Sequence, residues 1–228
     1  MDQLRLASAA MATMDEYDVE LAETPEQIRE AFEVRHQVYC VERGYEPNGG
    51  GIEHDRFDRK ACHILLRHRG RGEVVGTTRV VLASPEAPHD SFPLQSVCAE
   101  SFLEPAHFAT TGEISRFAIA KIRRASDAAP AVLMRLSLMQ GIVQASGRQG
   151  LTHWCAMMER SLLRLLKASA VHFQPAGPLV EHHGLRQPVY GRISDVLNRI
   201  HQEQPHIWDF LTASGSLWTE PARLRLAA

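Results

Sequence analysis

Long apolar runs are missing from this sequence. No stretch approaches the roughly 20 consecutive apolar residues that a membrane-spanning helix needs, so no transmembrane segment is expected. An excess of one charge is missing too. Lys and Arg number 25 against 27 Asp and Glu, a net charge of −2, which gives a nucleic-acid partner no electrostatic support. Cysteine is sparse: Cys40, Cys62, Cys98 and Cys155 are scattered, with no CxxC pair and no zinc spacing. They read as small core residues of a protein in a reducing cytoplasm. The 12 histidines include no HxxxH or HExxH, and the adjacent His182 and His183 would face opposite sides of a strand. No metal site and no bound cofactor are expected. Met1 to Thr13 holds a single Arg and no continuous apolar segment, which does not make a signal peptide. Residues 1–15 are expected to be a flexible N-terminus and residues 16–228 a single domain.

What is present suits one sizeable core: 228 residues, of which 44% are hydrophobic. Tyr17 to Leu21 reads as a short strand. Thr24-Pro25-Glu26-Gln27 is a helix start, with Thr24 as N-cap, Pro25 at the first position and Gln27 closing a capping box. Ile28, Ala31, Phe32, Arg35, Val38 and Tyr39 then share one helical face. Arg35 on that face either reaches to the helix edge or faces a site, as would Tyr39 one turn later. After Gly44, the run Tyr45 to Gly51 is too rich in Gly and Pro for regular structure and reads as a substrate lid or an idle linker. Ala61 to Arg67 and Glu73 to Leu82 read as strands joined by a hairpin at His68 to Gly72. Arg79 lies inside the second strand, either on its solvated face or in an ion network with Asp55 and Asp58. Residues 83–111 read as irregular. Ala129 to Ser146 and Glu159 to Ser169 read as helices, Leu151 to Met157 and Ala170 to Phe173 as strands, and two short helices follow near Asp195 to Gln202 and His206 to Leu211. This order implies a mixed sheet with helices on both faces, a three-layer α/β domain.

The stretch from Gly112 to Ile119 combines an apolar, β-prone frame with Glu113, Ser115 and Arg116. A period of two puts Glu113 and Ser115 on one face and Arg116 on the other. An edge strand with Glu and Arg facing water is one explanation. A functional site is the other, because burying charge costs several kcal/mol unless the charge is paired or used.

Arg35-x-x-Val38-Tyr39, Glu53-x-Asp55-x-Phe57-Asp58, Gly76-x-x-Arg79 and Glu113-Ile114-Ser115-Arg116-Phe117 occur in that order. This set resembles the acyl-homoserine-lactone synthases and the long-chain N-acyl amino acid synthases of the GNAT acyltransferase superfamily. A closer resemblance, from about Arg35 to Phe210, is to acyltransferases associated with PEP-CTERM/exosortase systems. It includes Val38 to Gly44, Met157-Met158-Glu159-x-Ser161 through Leu166, and Gly184-x-Arg186-Gln187-Pro188.

The resemblance implies a GNAT fold, in which two central strands splay and hold a thioester donor's pantetheine arm. Here those strands would be Glu113 to Ala120 and Leu151 to Met157. It implies that Glu113 removes the proton of an amine acceptor, with Ser115 beside it in the catalytic set. Arg35, Tyr39, Tyr45, Asp55, Asp58, Arg79 and Arg116 would shape the substrate pocket. Phe117, Ala118 and Ile119 would bind the acyl donor, and backbone N–H groups near a bulge would polarise the thioester carbonyl.

Two departures bear on the substrates. The Gly-rich diphosphate loop of coenzyme A-dependent relatives is replaced by Arg123-Arg124-Ala125-Ser126-Asp127-Ala128-Ala129, and Lys121, Arg123 and Arg124 suit docking of an acidic acyl carrier protein. Acyl carrier protein thioesters, or acyl-coenzyme A, are therefore the expected donors. Tyr45 stands where homoserine-lactone synthases usually carry a Trp for S-adenosylmethionine, which weakens that reading; an amino acid or similar small amine fits at least as well as acceptor. A homoserine-lactone synthase and a non-catalytic GNAT-like binding module are the rivals. Leu133, Met134, Leu136, Leu138, Met139 and Ile142 would line either an acyl tunnel or ordinary core.

Overall fold

A computed structural model describes residues 16–45, 49–98, 103, 105–121 and 131–219. The expected flexible terminus (1–15), the tip of the Gly-rich loop (46–48), and Arg123 and Arg124 lie outside these residues.

The chain opens with β1 (Tyr17–Leu21) and α1 (Pro25–Arg35). The capping box forms as its residue types demand. Thr24 Oγ1 accepts the Gln27 N–H at 3.2 Å, and Gln27 Oε1 accepts the Thr24 N–H at 3.1 Å. The helix does not stop at Arg35 but widens into a π-helical segment, His36–Glu42. It ends at Gly44, whose φ of +64° favours glycine. Next come β2 (Ala61–His68), β3 (Glu73–Leu82), β4 (Thr111–Ile119), α2 (Ala131–Arg148), β5 (His153–Glu159) and α3 (Arg160–Ala168). The chain then forms β6 (Gln174–Pro175), β7 (Val180–Glu181), β8 (Leu185–Arg192), α4 (Ile193–Glu203) and α5 (Pro205–Thr212). The strand expected at Ala170 to Phe173 is absent. Ala170 sits at φ +60° directly behind α3, which turns the chain, and pairing begins only at Gln174.

The sheet runs β1-β2-β3-β4-β5-β8-β6, with β7 paired to β8. Every ladder is antiparallel except β4–β5, whose parallel pairing the α2 crossover makes possible. Alternation along β2 sets the layers. Ile64 and Leu66 pack with Leu133, Met139 and Ile142 of α2, whereas Leu65 packs with Ala31 and Val34 of α1 on the other face. Leu133, Met134, Leu136, Leu138, Met139 and Ile142 are all buried in this α2 core, and Met139 also lines the cleft between β4 and β5.

The feature that positions the site is the failure of one ladder. β4 and β5 pair only from Thr111↔His153 to Ile114↔Ala156. Beyond that point β4 follows β3 as far as Ile119↔Gly76, and β5 follows β8 as far as Glu159↔Arg186. The two central strands therefore part, as the splayed pair was expected to do, and a cleft of about 490 Å³ lies at the fork.

Candidate active site

Glu113 lies on the paired stem of that fork, opposite Val81 and Cys155, and is 1% exposed. Phe57, Val81, Phe92, Leu94, Leu103 and Cys155 make an apolar cluster on this side of the sheet. The Leu94 N–H donates to Glu113 Oε2 at 2.9 Å. Burial dominates the titration of this carboxyl and pushes its pKa up to about 8, against the pull of the Leu94 N–H, Arg79 and Arg116. A carboxyl poised near neutrality inside a cleft suits proton transfer.

Beside it the charges close into a ring. Arg35 Nε meets Glu53 Oε2 at 2.5 Å, and Arg35 Nη1 meets Asp58 Oδ1 at 2.6 Å. Asp58 Oδ1 also accepts from Arg79 Nη1, which reaches Asp55 Oδ1 at 2.7 Å. Arg116 Nη2 joins Asp55 Oδ2 at 3.1 Å and Glu53 Oε1 at 3.0 Å, completing an alternating circuit of three guanidinium and three carboxylate groups. The circuit explains how Arg35 and Arg79 tolerate 1% and 0% exposure, since each buried charge has partners of opposite sign. The arginines hold Glu53, Asp55 and Asp58 below their usual carboxylate range despite burial. Arg79 Nε donates to Ser115 Oγ at 3.0 Å, so Ser115 is fixed by the ring.

Local sequence builds this ring. Asp55 caps the 3₁₀ turn Arg56–Lys60: its Oδ1 accepts the Phe57 N–H at 2.9 Å, and Asp58 Oδ2 accepts the Asp55 N–H at 2.7 Å. On β4 the register slips between Thr77↔Ala118 and Arg79↔Ser115, and Arg116 takes φ +55°. This bulge corrects the expected facing. It turns Arg116 toward the same Asp55 carboxylate that Arg79, the partner of Ser115, also holds.

The cleft wall carries Tyr39, Tyr45, Asp55, Glu113, Ser115, Arg116, Phe117, Ala118, Ile119 and Lys121, whereas Arg35, Asp58 and Arg79 stand behind it. Tyr39 donates to the Phe117 carbonyl at 3.2 Å. Tyr45 stacks between Tyr39 and His183, at centroid distances of 6.4 and 4.9 Å. His182 and His183 sit in a turn rather than a strand, with rings 4.7 Å apart, and both face the cleft. Across the mouth Glu159 accepts from Arg43 at 2.8 Å and pairs with Arg186 at 3.2 Å. The Lys121 N–H donates to Glu42 Oε1 at 2.8 Å.

Glu53 stands beside Asp55 in the sequence, and its role as the third acid of the ring emerges from its pairing with Arg35 and Arg116. Three arginines needing three acids was the signal that could have assigned it. The Leu94 N–H had no signal at all, because a backbone donor is not encoded by residue type. Among the described residues no group of three or more His, Cys, Asp or Glu is placed to hold a metal ion, and no helix is long and apolar enough to cross a membrane.

Residues 34–134 match the model of the acetyltransferase (GNAT) domain. The sequence matches none of the curated proteins compared with it. Among solved structures, TofI in a ternary complex with an inhibitor and MTA has a TM-score of 0.60 at 21% identity, covering 84% of this chain and 99% of that one. BjaI, a CoA-dependent acyl-homoserine lactone synthase seen with SAM and isopentyl-CoA, has a TM-score of 0.58 at 23% identity, over 82% and 88%. FeeM, an N-acyl amino acid synthase from uncultured soil microbes, has a TM-score of 0.57 at 14% identity, over 80% and 93%. These likenesses establish a GNAT-like fold.

Proposed function

We propose that this protein is an amide-forming acyltransferase that moves a fatty acyl group from an acyl carrier protein thioester to the amine of an amino acid or similar small acceptor. One observation carries the reading: the carboxyl of Glu113, 1% exposed, lines the cleft beside the fork of two parting strands. Glu113 takes a proton from the acceptor's ammonium or attacking amine, directly or through water, and the nitrogen forms a bond to the thioester carbonyl carbon. The oxyanion is met by backbone N–H groups at the Arg116 bulge. Collapse breaks the carbon–sulfur bond, and the thiolate leaves with a proton. Ser115 and Arg116, held by the ring, position the acceptor and are not nucleophiles. Phe117, Ala118 and Ile119 flank the pantetheine arm.

Two observations favour a carrier protein over coenzyme A as donor. The Glu42 carboxylate already accepts the Lys121 N–H where the chain leaves β4, and a carboxylate there repels a diphosphate. Beside the cleft, α3 exposes Arg160, Arg164 and Lys167, charges that would speed encounter with an acidic carrier. With Lys121→Glu we expect a several-fold higher KM for the acyl carrier protein; an unchanged value would sink the docking role of Lys121. The resemblance to acyltransferases associated with PEP-CTERM/exosortase systems belongs to the same proposal, as does a cytoplasmic site of action.

Mass spectrometry of lipids from cells with and without the protein tests the reading. An N-acyl amino acid dependent on the protein supports it. A homoserine lactone would instead mean an autoinducer synthase using S-adenosylmethionine. No acyl product with either a carrier-protein or a coenzyme A donor would leave a non-catalytic acyl- or partner-binding module.

A further inference from the structure

Catalysis as proposed uses the Glu113 carboxyl but leaves unexplained the loop that touches it. Ser84 to Cys98 contains only short 3₁₀ turns, and the Leu94 N–H is what it delivers to Glu113. Two side chains hold that loop from within. Ser91, 0% exposed, accepts the Ser84 N–H at 2.8 Å and donates toward the carbonyls of Ser84 and Ala87, each at 3.1 Å. Gln95 Oε1 accepts the N–H groups of both Ser91 and Phe92 at 2.9 Å, and its Nε2 donates to the Pro88 carbonyl at 2.9 Å. The turn is thus tied on both sides of Leu94, while Phe92 and Leu94 are sealed into the apolar cluster around Glu113. A backbone donor has no rotamer of its own. Its aim is set by the residues that fix the chain around it.

We infer that Ser91 and Gln95 are positioning residues for Glu113: they fix the Leu94 N–H against its carboxylate and so keep that carboxyl able to release and take up a proton in an apolar pocket. The inference rests on the reading of Glu113 as the base. The other groups that influence Glu113 are Arg79 from β3, Arg116 from β4 itself and Asp55 from the capped turn. The thiols of Cys155 on β5 and Cys98 on the loop also feel its charge. Arg79, Arg116 and Asp55 are already committed to the ring.

The test is infrared titration of the purified protein, with the Glu113 carboxylic-acid band identified by its loss in Glu113→Gln. Gln95→Met keeps side-chain length but removes the acceptor, and Ser91→Ala is the second variant should the first not fold. Losing a hydrogen bond to an ionised group moves a titration by about one pH unit or more. We expect the band's midpoint to rise by about that much in the variants, and the acid limb of the acyl-transfer rate to follow it. A midpoint unchanged in the folded variants overturns the inference. A midpoint that rises while the rate profile stays put upholds the positioning role and removes Glu113 from catalysis, so the two failures are distinguishable.

Discussion

Glu113 has a carboxyl pulled in two directions: burial favours the proton, and one N–H with two nearby guanidinium groups favours its loss. Burial pushes its pKa up to about 8 from the ordinary 4.5. Between those limits the folded state binds more protons than the unfolded one, so the contribution of Glu113 to stability falls as pH rises. Glu113→Gln is therefore expected to be more stable than the wild type near pH 9, by a few kcal/mol, with the difference vanishing below the unfolded pKa; urea unfolding at the two pH values measures it. Ring carboxylates act in the opposite sense. Their depressed pKa values contribute stability above the ordinary carboxylate range that is lost as acid protonates them. Removing one ring charge leaves its partner buried and unpaired, so Arg79→Met should lower stability by about 3–5 kcal/mol, read as a drop in Tm. Sequence alone exposed Arg35, Arg79, Glu113 and Arg116 as charges in apolar frames. It misplaced Arg116 because a bulge breaks the period on which facing is judged.

Among the elements, α1 was the most legible, since its capping box is written in residue types at fixed offsets. Its π-helical continuation was not, because widening the helix at His36–Glu42 leaves no compositional mark, yet that segment brings Tyr39 and Glu42 to the cleft. β2, β3 and their hairpin were legible from their apolar runs and from Gly70 and Gly72. The strand read at Ala170 to Phe173 failed because so short a run, three apolar residues and His172, does not distinguish a turn from a strand. β4 owes its position partly to Gly112. A Cβ there would meet Leu151 Cδ1 at 2.6 Å and Val80 Cγ1 at 2.7 Å, both closer than atoms can pack. Gly112→Ala should overpack this stem and cost about 1–3 kcal/mol, measurable by thermal unfolding. Because Glu113 is the next residue, the same variant should also slow acyl transfer.

At the scale of the molecule, the order of strands and helices was enough to imply a mixed sheet with helices on both faces. The event that makes the site, the parting of β4 from β5 after Ile114↔Ala156, came from family resemblance and not from composition or periodicity. The splay opens the cleft between the diverging ends of β4 and β5, inside one continuous sheet. The ring anchors one lip through Arg116 and Tyr39, and Glu159 with Arg43 and Arg186 anchors the other. Catalysis at Glu113 is best judged by following N-acyl amino acid formation by wild type and Glu113→Gln side by side, with matched folding checked by circular dichroism. Loss of a general base lowers rates by about 10²–10⁴-fold, and a fall of that size is expected here. Acyl transfer undiminished in a folded Glu113→Gln would contradict the proposed mechanism.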